Sequence, residues 1–463
     1  FKHVATVFAD ALDQLQSVGI LTGDSTDDDP KDTKPTTETG TDTIPLTAPQ
    51  TEVWMSAQMG KAASGVFIES ASLRLQGDLD AKALQTALNE VIARHDALRL
   101  SFDASGQAAR VMPALSLTLD PIDVDQDGLD SLIAADAAMP FDLTDGPLIR
   151  AALARLAPDD HVLLFTMHHI VCDGWSSYLV IEELAALYNA AVQGGQADLP
   201  PPASFAAYAC SHGDRTPSAA TDTFWKAIFP KAPDLPELPL DTRRDGQRSF
   251  AGATHVHLID ADLAKTLKRA AGREGVTLFG ALAGSLAALL SRLSGSGDIT
   301  LAVPTAGQTL LPDDRLVGHC VNLLPVRLQV ATDADTTLAD HLKAVSTRVL
   351  DCFDHGDTTY GTIVHGLADR GDVSRQPLTE VQFNLDQQPA DFGFDGIAAT
   401  LSSNPRAYTN FDLIFNVTES RQGLRIDLTY ATDVLNADTV ARWCEHYQSV
   451  LAAAARDMQT PLQ

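Results

Sequence analysis

The apolar run Val162-Leu163-Leu164-Phe165-Thr166-Met167 constrains this chain more than any other segment. A run of this length without a charge predicts a buried strand. It ends in His168-His169, and Ile170-Val171-Cys172 then leads to Asp173-Gly174. Gly174 reads as the turn that ends the strand. Two imidazoles therefore stand at the end of a rigid element, where a reactive group can be held in place. A histidine pair at a strand end can equally be packed or solvated, so the rest of the chain has to decide.

Around this segment a strand–helix order occurs twice. Val66 to Leu75 alternates as a strand does, and Leu79, Ala83/Leu84, Leu88 and Val91/Ile92 mark the apolar face of a helix. Later, His255 to Leu258 predicts a strand, and Leu263, Leu267 and Ala270/Ala271 a helix. Two α/β lobes of similar plan follow from this, with the boundary near residue 220. Residues 1–23 have an amphipathic pattern, read as the tail of an upstream unit or a docking element. Residues 24–44, rich in Thr, Pro and Asp, read as an acidic flexible linker. The first lobe is then 45–220 and the second 221–463. Asp438 and Thr439 precede a final helix running toward Arg456.

With 463 residues and 45% hydrophobic content, the chain can bury a large core. A net charge of −28 disfavours nucleic acid and anionic membrane as partners, since both recruit basic surface. No apolar stretch reaches the length of a membrane span, and no signal peptide is visible. Phe1 reads as the start of an excised piece. The five cysteines are scattered without a CxxC pair, so neither a zinc site nor a disulfide framework is expected. A reducing, cytoplasmic setting fits. Cys172 reads as a small buried filler and not a nucleophile.

His168 to Gly174 resembles the HHxxxDG signature of the condensation domains of nonribosomal peptide synthetases. Other segments resemble that family's motifs in the family's order. They are Leu46 to Trp54, where Glu52 replaces the usual arginine; Arg94 to Phe102; Phe205 to Tyr208; Gly318 to Arg327; His355 to Asp357; and Ser374 to Leu378. The resemblance covers nearly all of residues 44–455. It implies two chloramphenicol-acetyltransferase-like α/β lobes forming a V-shaped pseudo-dimer with a tunnel between them. It also implies amide-bond formation between a carrier-tethered acyl or peptidyl donor and the amine of a carrier-tethered aminoacyl acceptor. The phosphopantetheine arms would come from an upstream donor carrier and a downstream acceptor carrier, with an adenylation domain adjacent. The domain itself would bind no cofactor or metal and would be monomeric once excised.

On this resemblance His169 takes the central role, as general base for the amine or as its hydrogen-bonding guide. His168 points the other way on an extended backbone and is structural. The Gly174 N–H is a candidate oxyanion donor. Asp173 is a scaffold residue. In the family it pairs with an arginine, and here Gln308 stands at that place, with Arg327 as a substitute cation. Trp175, Ser176, Gln308 and Asn384 are candidate substrate or tunnel residues. Arg94 is structural, solvated or paired with Asp96, and Asn322 and Arg327 hold the lobes together. No serine or cysteine has an activating arrangement, so no acyl-enzyme is expected.

Gln50 to Trp54, Ala306 to Gln308, Gly318 to Arg327 and Asn410 to Leu413 resemble a branch found in hybrid polyketide–peptide lines. The intact histidine pair argues against the cyclisation variant. Trp175-Ser176-Ser177-Tyr178 argues against the epimerisation variant. Two alternatives stay open. One is a CoA-dependent acyltransferase with HxxxD, for which Asp391 to Gly396 offers a faint second motif. The other is a non-catalytic recruitment module of the same fold.

Overall fold

The computed structural model describes residues 43–213, 216–244, 248–311, 314–331, 335–367, 375–387 and 391–462. The expected helix at 1–23, most of the expected linker and Ser374 lie outside the described residues. Thr43–Pro45 is already a strand, paired antiparallel with Ala108–Val111.

Strand Asp160–His168 is buried along almost its whole length, as its apolar run requires. It lies between antiparallel neighbours Ile68–Gln76 and Ile149–Ala157. Ile122–Asp123 adds in parallel at one edge. The other edge is Ala398–Ser403, a strand from the second half of the chain that pairs antiparallel with Ile68–Gln76. Helices Ala81–Arg94 and Gly174–Gln193 bring Leu84, Leu88, Val91, Ile92, Val180 and Leu184 to the core over this sheet. Asp80 caps the first helix through the N–H groups of Lys82 and Ala83. Gly194, at φ 66°, ends the second in the left-handed conformation that glycine adopts without strain.

The second sheet takes the order Val321–Gln329, Asp298–Ala306, Val381–Gln387, Leu413–Ser420, Gly423–Ala431, Gly252–Asp260. Val381–Gln387 runs parallel to both its neighbours, and the remaining pairs are antiparallel. Helices Ala261–Arg273, Leu278–Ser294, Leu338–Asp354 and Ala437–Arg456 cover it. Leu278–Ser294 is buried from Gly280 to Ser291, which accounts for its apolar sequence. Among the described residues no single helix is long and apolar enough to cross a membrane.

Each sheet has its own core, so the molecule is two α/β lobes. The division is not a single cut in the chain. Besides strand Ala398–Ser403, residues Leu316, Val317, Cys320, Phe392, Phe394 and Ile397 from the second half pack into the first core. These excursions deliver second-half residues to the end of the histidine strand.

Candidate active site

The histidine strand ends at His168, and the ladder continues one step further, with the His169 N–H donating to Phe67 O at 2.7 Å. The two rings therefore diverge. His168 is fully buried; its Nδ1 accepts from the Ile170 N–H at 3.3 Å and its Nε2 faces Ser64 Oγ at 3.4 Å. Burial, reinforced by the neighbouring His169, pulls its pKa down to about 3, so it is a neutral structural ring. His169 keeps 22% of its side chain exposed. Its Nδ1 lies 3.1 Å from Nδ1 of His319, and its Nε2 lies 3.6 Å from Glu69 Oε1.

Glu69 is on strand Ile68–Gln76, and Arg406 grips both its oxygens at 2.5 and 2.7 Å. Burial pushes the Glu69 carboxyl up, but Arg406 and His169 outweigh it and hold the pKa below the usual range. A small open-sided space adjoins this pair, lined by Gly65, Glu69, Ser70, Asn404 and Arg406 among others. Asn384 and Asp386 stand on one face of strand Val381–Gln387. Asn384 Nδ2 donates to Asp386 Oδ2 at 2.9 Å and to Asn416 Oδ1 at 2.8 Å. Burial raises the Asp386 carboxyl, and the charge of Glu69 adds to the shift. Tyr178 is pushed up to about 12 by burial and by Asp386, so its hydroxyl stays protonated.

Asp173 is the N-cap of the 20-residue helix Gly174–Gln193. Its Oδ1 accepts from the Ser176 N–H at 2.9 Å and from Ser176 Oγ at 2.7 Å. Its Oδ2 accepts from the Cys320 N–H at 2.9 Å, and Gln308 Nε2 reaches both oxygens at 3.1 and 2.9 Å. No cation is needed, because four kinds of donor and the positive end of a helix surround the group. Gly174 begins this helix instead of forming a strand-ending turn. A Cβ built on Gly174 would meet nothing within 4 Å, so the helix start faces open space. Trp175 is 37% exposed, and its Nε1 donates to Asp314 O at 2.8 Å.

Several expectations need correction. Ser176 and Gln308 are fully buried and spent on Asp173 and Gly318, so they line no accessible space. Arg327 does not reach Asp173. It pairs with Asp298 and donates to Ile228 O at 2.8 Å, inside the second lobe. Asn322 donates to Gly356 O at 3.1 Å and to Thr358 O, again inside that lobe, so neither residue ties the lobes together. Arg94 pairs with Glu183 at 2.9 Å and not with Asp96, whose carboxylate receives the Phe205 and Ala206 N–H groups. Burial raises the Glu183 carboxyl, but the hydrogen bonds of His95 and Arg94 prevail and pull it down to about 2. Cys172 is fully buried, and burial drives its thiol well above the ordinary range, as a filler requires.

Glu69, His319 and Arg406 are the residues that sequence reasoning missed. Glu69 carried a signal, as the lone acid in strand Ile68–Gln76. His319 lay within a recognised motif, but nothing local aimed it at His169. Arg406 had no signal, since its contact spans 337 positions.

Residues 40–463 match the family described as "Condensation domain". The chain is 32% identical over 433 residues to malpibaldin synthetase of Mortierella alpina, covering 91% of this chain and 8% of that protein's length. Its fold matches the starter condensation domain of rhizomide synthetase in complex with C8-CoA, at TM-score 0.80 and 22% identity, covering 91% and 96% of the two chains. It also matches the X-domain from teicoplanin biosynthesis, solved in complex with OxyB, at TM-score 0.76 and 26% identity over 93% and 97%. With the histidine motif intact and the two-lobed α/β fold in place, the chain belongs to the condensation-domain family of nonribosomal peptide synthetases.

Proposed function

We propose that this chain joins a carrier-tethered acyl donor to the amine of a carrier-tethered aminoacyl acceptor. The observation that carries this reading is His169, part-exposed at the lobe junction and bracketed by Glu69 and His319. The acceptor nitrogen attacks the thioester carbonyl carbon, the C–N bond forms and the C–S bond breaks. An α-ammonium has a pKa of about 7.7–8.0, so near neutrality most acceptor amine is protonated and a base at its side is useful. His169 takes the amine proton as the bond forms and returns it to the departing thiolate. The Gly174 N–H, at the first turn of a long helix and open to solvent, is the candidate donor to the oxyanion.

No acyl-enzyme forms in this scheme, since Cys172 is a buried thiol and Ser177 is spent on Asp173 O at 3.0 Å. Both phosphopantetheine arms belong to the flanking carriers, and an adenylation domain loads the acceptor. The motif resemblance to hybrid lines points to a polyketide or β-amino acyl donor. Trp175 and Asn384 are the residues we propose to meet the substrate.

A second reading, a binding module without chemistry, draws on the likeness to the X-domain in complex with OxyB. Intact-protein mass spectrometry separates the two. A panel of acyl donors on one carrier is offered to an aminoacyl acceptor carrier. We expect a mass gain on the acceptor that falls by roughly 100-fold or more in His169→Ala. No gain with any donor, while both carriers still bind, would leave the binding-module reading.

A further inference from the structure

We propose that His319 is a positioning residue, a neutral hydrogen-bond acceptor that holds His169 ready to carry a proton. The inference rests on the condensation reading for its consequence in rate, but its geometry stands apart from it. The two imidazoles meet edge to face, with centroids 5.0 Å apart and planes at 89°. Their Nδ1 atoms are 3.1 Å apart, so one hydrogen lies between them. His319 comes from the opposite lobe's chain, and its backbone is pinned on both sides. The Gly318 N–H donates to Ser176 Oγ at 3.0 Å, and the Cys320 N–H donates to Asp173 Oδ2 at 2.9 Å. Gly318 has φ 158°, and a Cβ there would fall 2.0 Å from the Phe205 ring. The backbone that carries His319 is therefore held by the Asp173–Ser176 lock, and burial limits the freedom of its ring to leave His169.

His319 is 4% exposed, and burial together with His169 and His168 drives its pKa well below the ordinary histidine range. It therefore stays neutral near neutral pH. When His169 takes a proton, both of its nitrogens become donors. His319 Nδ1 must then accept and carry its own hydrogen on Nε2. On the other side Glu69, ionised against Arg406, faces the second N–H. The remaining groups around the pair do not compete for this proton. His168 is neutral, Tyr178 is protonated, and burial and Glu69 raise the Asp386 carboxyl on the strand beyond Glu69. His319 thus favours imidazolium at His169 without becoming a cation itself, and it leaves Nε2 of the neutral ring free as the base.

The test has two arms, both using the full chain. Long-range proton–nitrogen spectra of histidine-labelled protein, from about pH 5 to about pH 9, report which nitrogen of His169 carries hydrogen. Single-turnover transfer between loaded carriers is measured over the same range. We expect His169 to carry its hydrogen on Nδ1 in the parent. In His319→Ala this bias disappears, the acid limb of the rate moves down by about one pH unit, and the maximum falls roughly 10- to 100-fold. His319→Gln, which keeps an acceptor, restores the acid limb. An unchanged tautomer and an unchanged acid limb in His319→Ala would overturn the proposal, whatever the loss of rate, because packing alone would then explain it. The spectra decide this even if no donor is turned over, so failure of the condensation reading remains distinguishable.

Discussion

Two carboxyl groups of the first lobe reach into the second half of the chain, and they are held in opposite ways. Asp173 meets donors only: Ser176, Gln308 and Cys320, at the head of a long helix. Glu52, on helix Ala48–Ala57, meets the Thr359 hydroxyl and the Gly361 N–H at 3.0 Å, both on its Oε1. Burial dominates there and pushes its pKa up to about 7 despite those bonds. The difference lies in the number of donors and in the helix behind them. A carboxylate is tolerated inside a protein when charge-assisted hydrogen bonds replace its water, and it protonates when they fall short. Glu52 therefore makes a seam that loosens as pH rises.

The largest effect is expected from Asp173→Ala. It strands Gln308 Nε2, the Cys320 N–H and the Ser176 N–H near a buried site at once. Leaving several buried donors unmet costs about 3–5 kcal/mol. Urea unfolding should register this as a lower midpoint and soluble yield should fall. Activity per folded molecule should fall less. A well-folded Asp173→Ala that transfers nothing would reverse the scaffold assignment and place Asp173 in the chemistry.

The sequence revealed the elements of this seam better than their pairing. Strand Asp160–His168, helices Ala81–Arg94 and Ala261–Arg273 and the final helix Ala437–Arg456 all follow from apolar period and caps, which are local properties. His168 buried and His169 facing outward follow from strand alternation. Gln308 as the neighbour of Asp173 was legible only through the motif order of a family. What could not be read was which distant side chain completes each contact. Ser176 and Gln308 look like substrate residues from sequence because they lie within or opposite a catalytic motif. Burial assigns them to the scaffold. Arg327 looks like a spare cation for Asp173, but strand pairing places Thr300 opposite it and Asp298 within its reach. Strand Ala398–Ser403 joins the other lobe's sheet, which no lobe boundary drawn along the chain can express.

Glu52→Gln should give the next largest effect, and its sign depends on pH. Folding raises the Glu52 pKa from 4.5 to about 7, so between those values the folded chain holds a proton that the unfolded chain has released. The favourable contribution is full below pH 4.5 and is lost as pH rises through about 7. Glutamine keeps an acceptor for Thr359 and Gly361 and never ionises. At about pH 8 the variant should be more stable than the parent by about 1–3 kcal/mol, a range discounted for partial exposure. At about pH 4.5 the two should unfold together. Equal gains at both values would mean that packing, not ionisation, separates Glu52 from Asp173.

The smallest effect is expected from Gln308→Leu, and it probes the surplus in the Asp173 seam. Gln308 gives Asp173 its amide hydrogens, but its own Oε1 is buried with no partner. Leucine removes a favourable donor and an unmet acceptor together. The lost hydrogen bonds to a charged group are worth about 1.5–3 kcal/mol, and relieving the orphaned oxygen returns about 1–2 kcal/mol. The net loss is about 1 kcal/mol, well under that of Asp173→Ala, because Ser176 and the Cys320 N–H still hold the carboxylate. A loss as large as that of Asp173→Ala would make Gln308 the indispensable partner and the remaining donors insufficient. Asp173 would then resemble Glu52, a buried carboxyl with too few donors to replace its water.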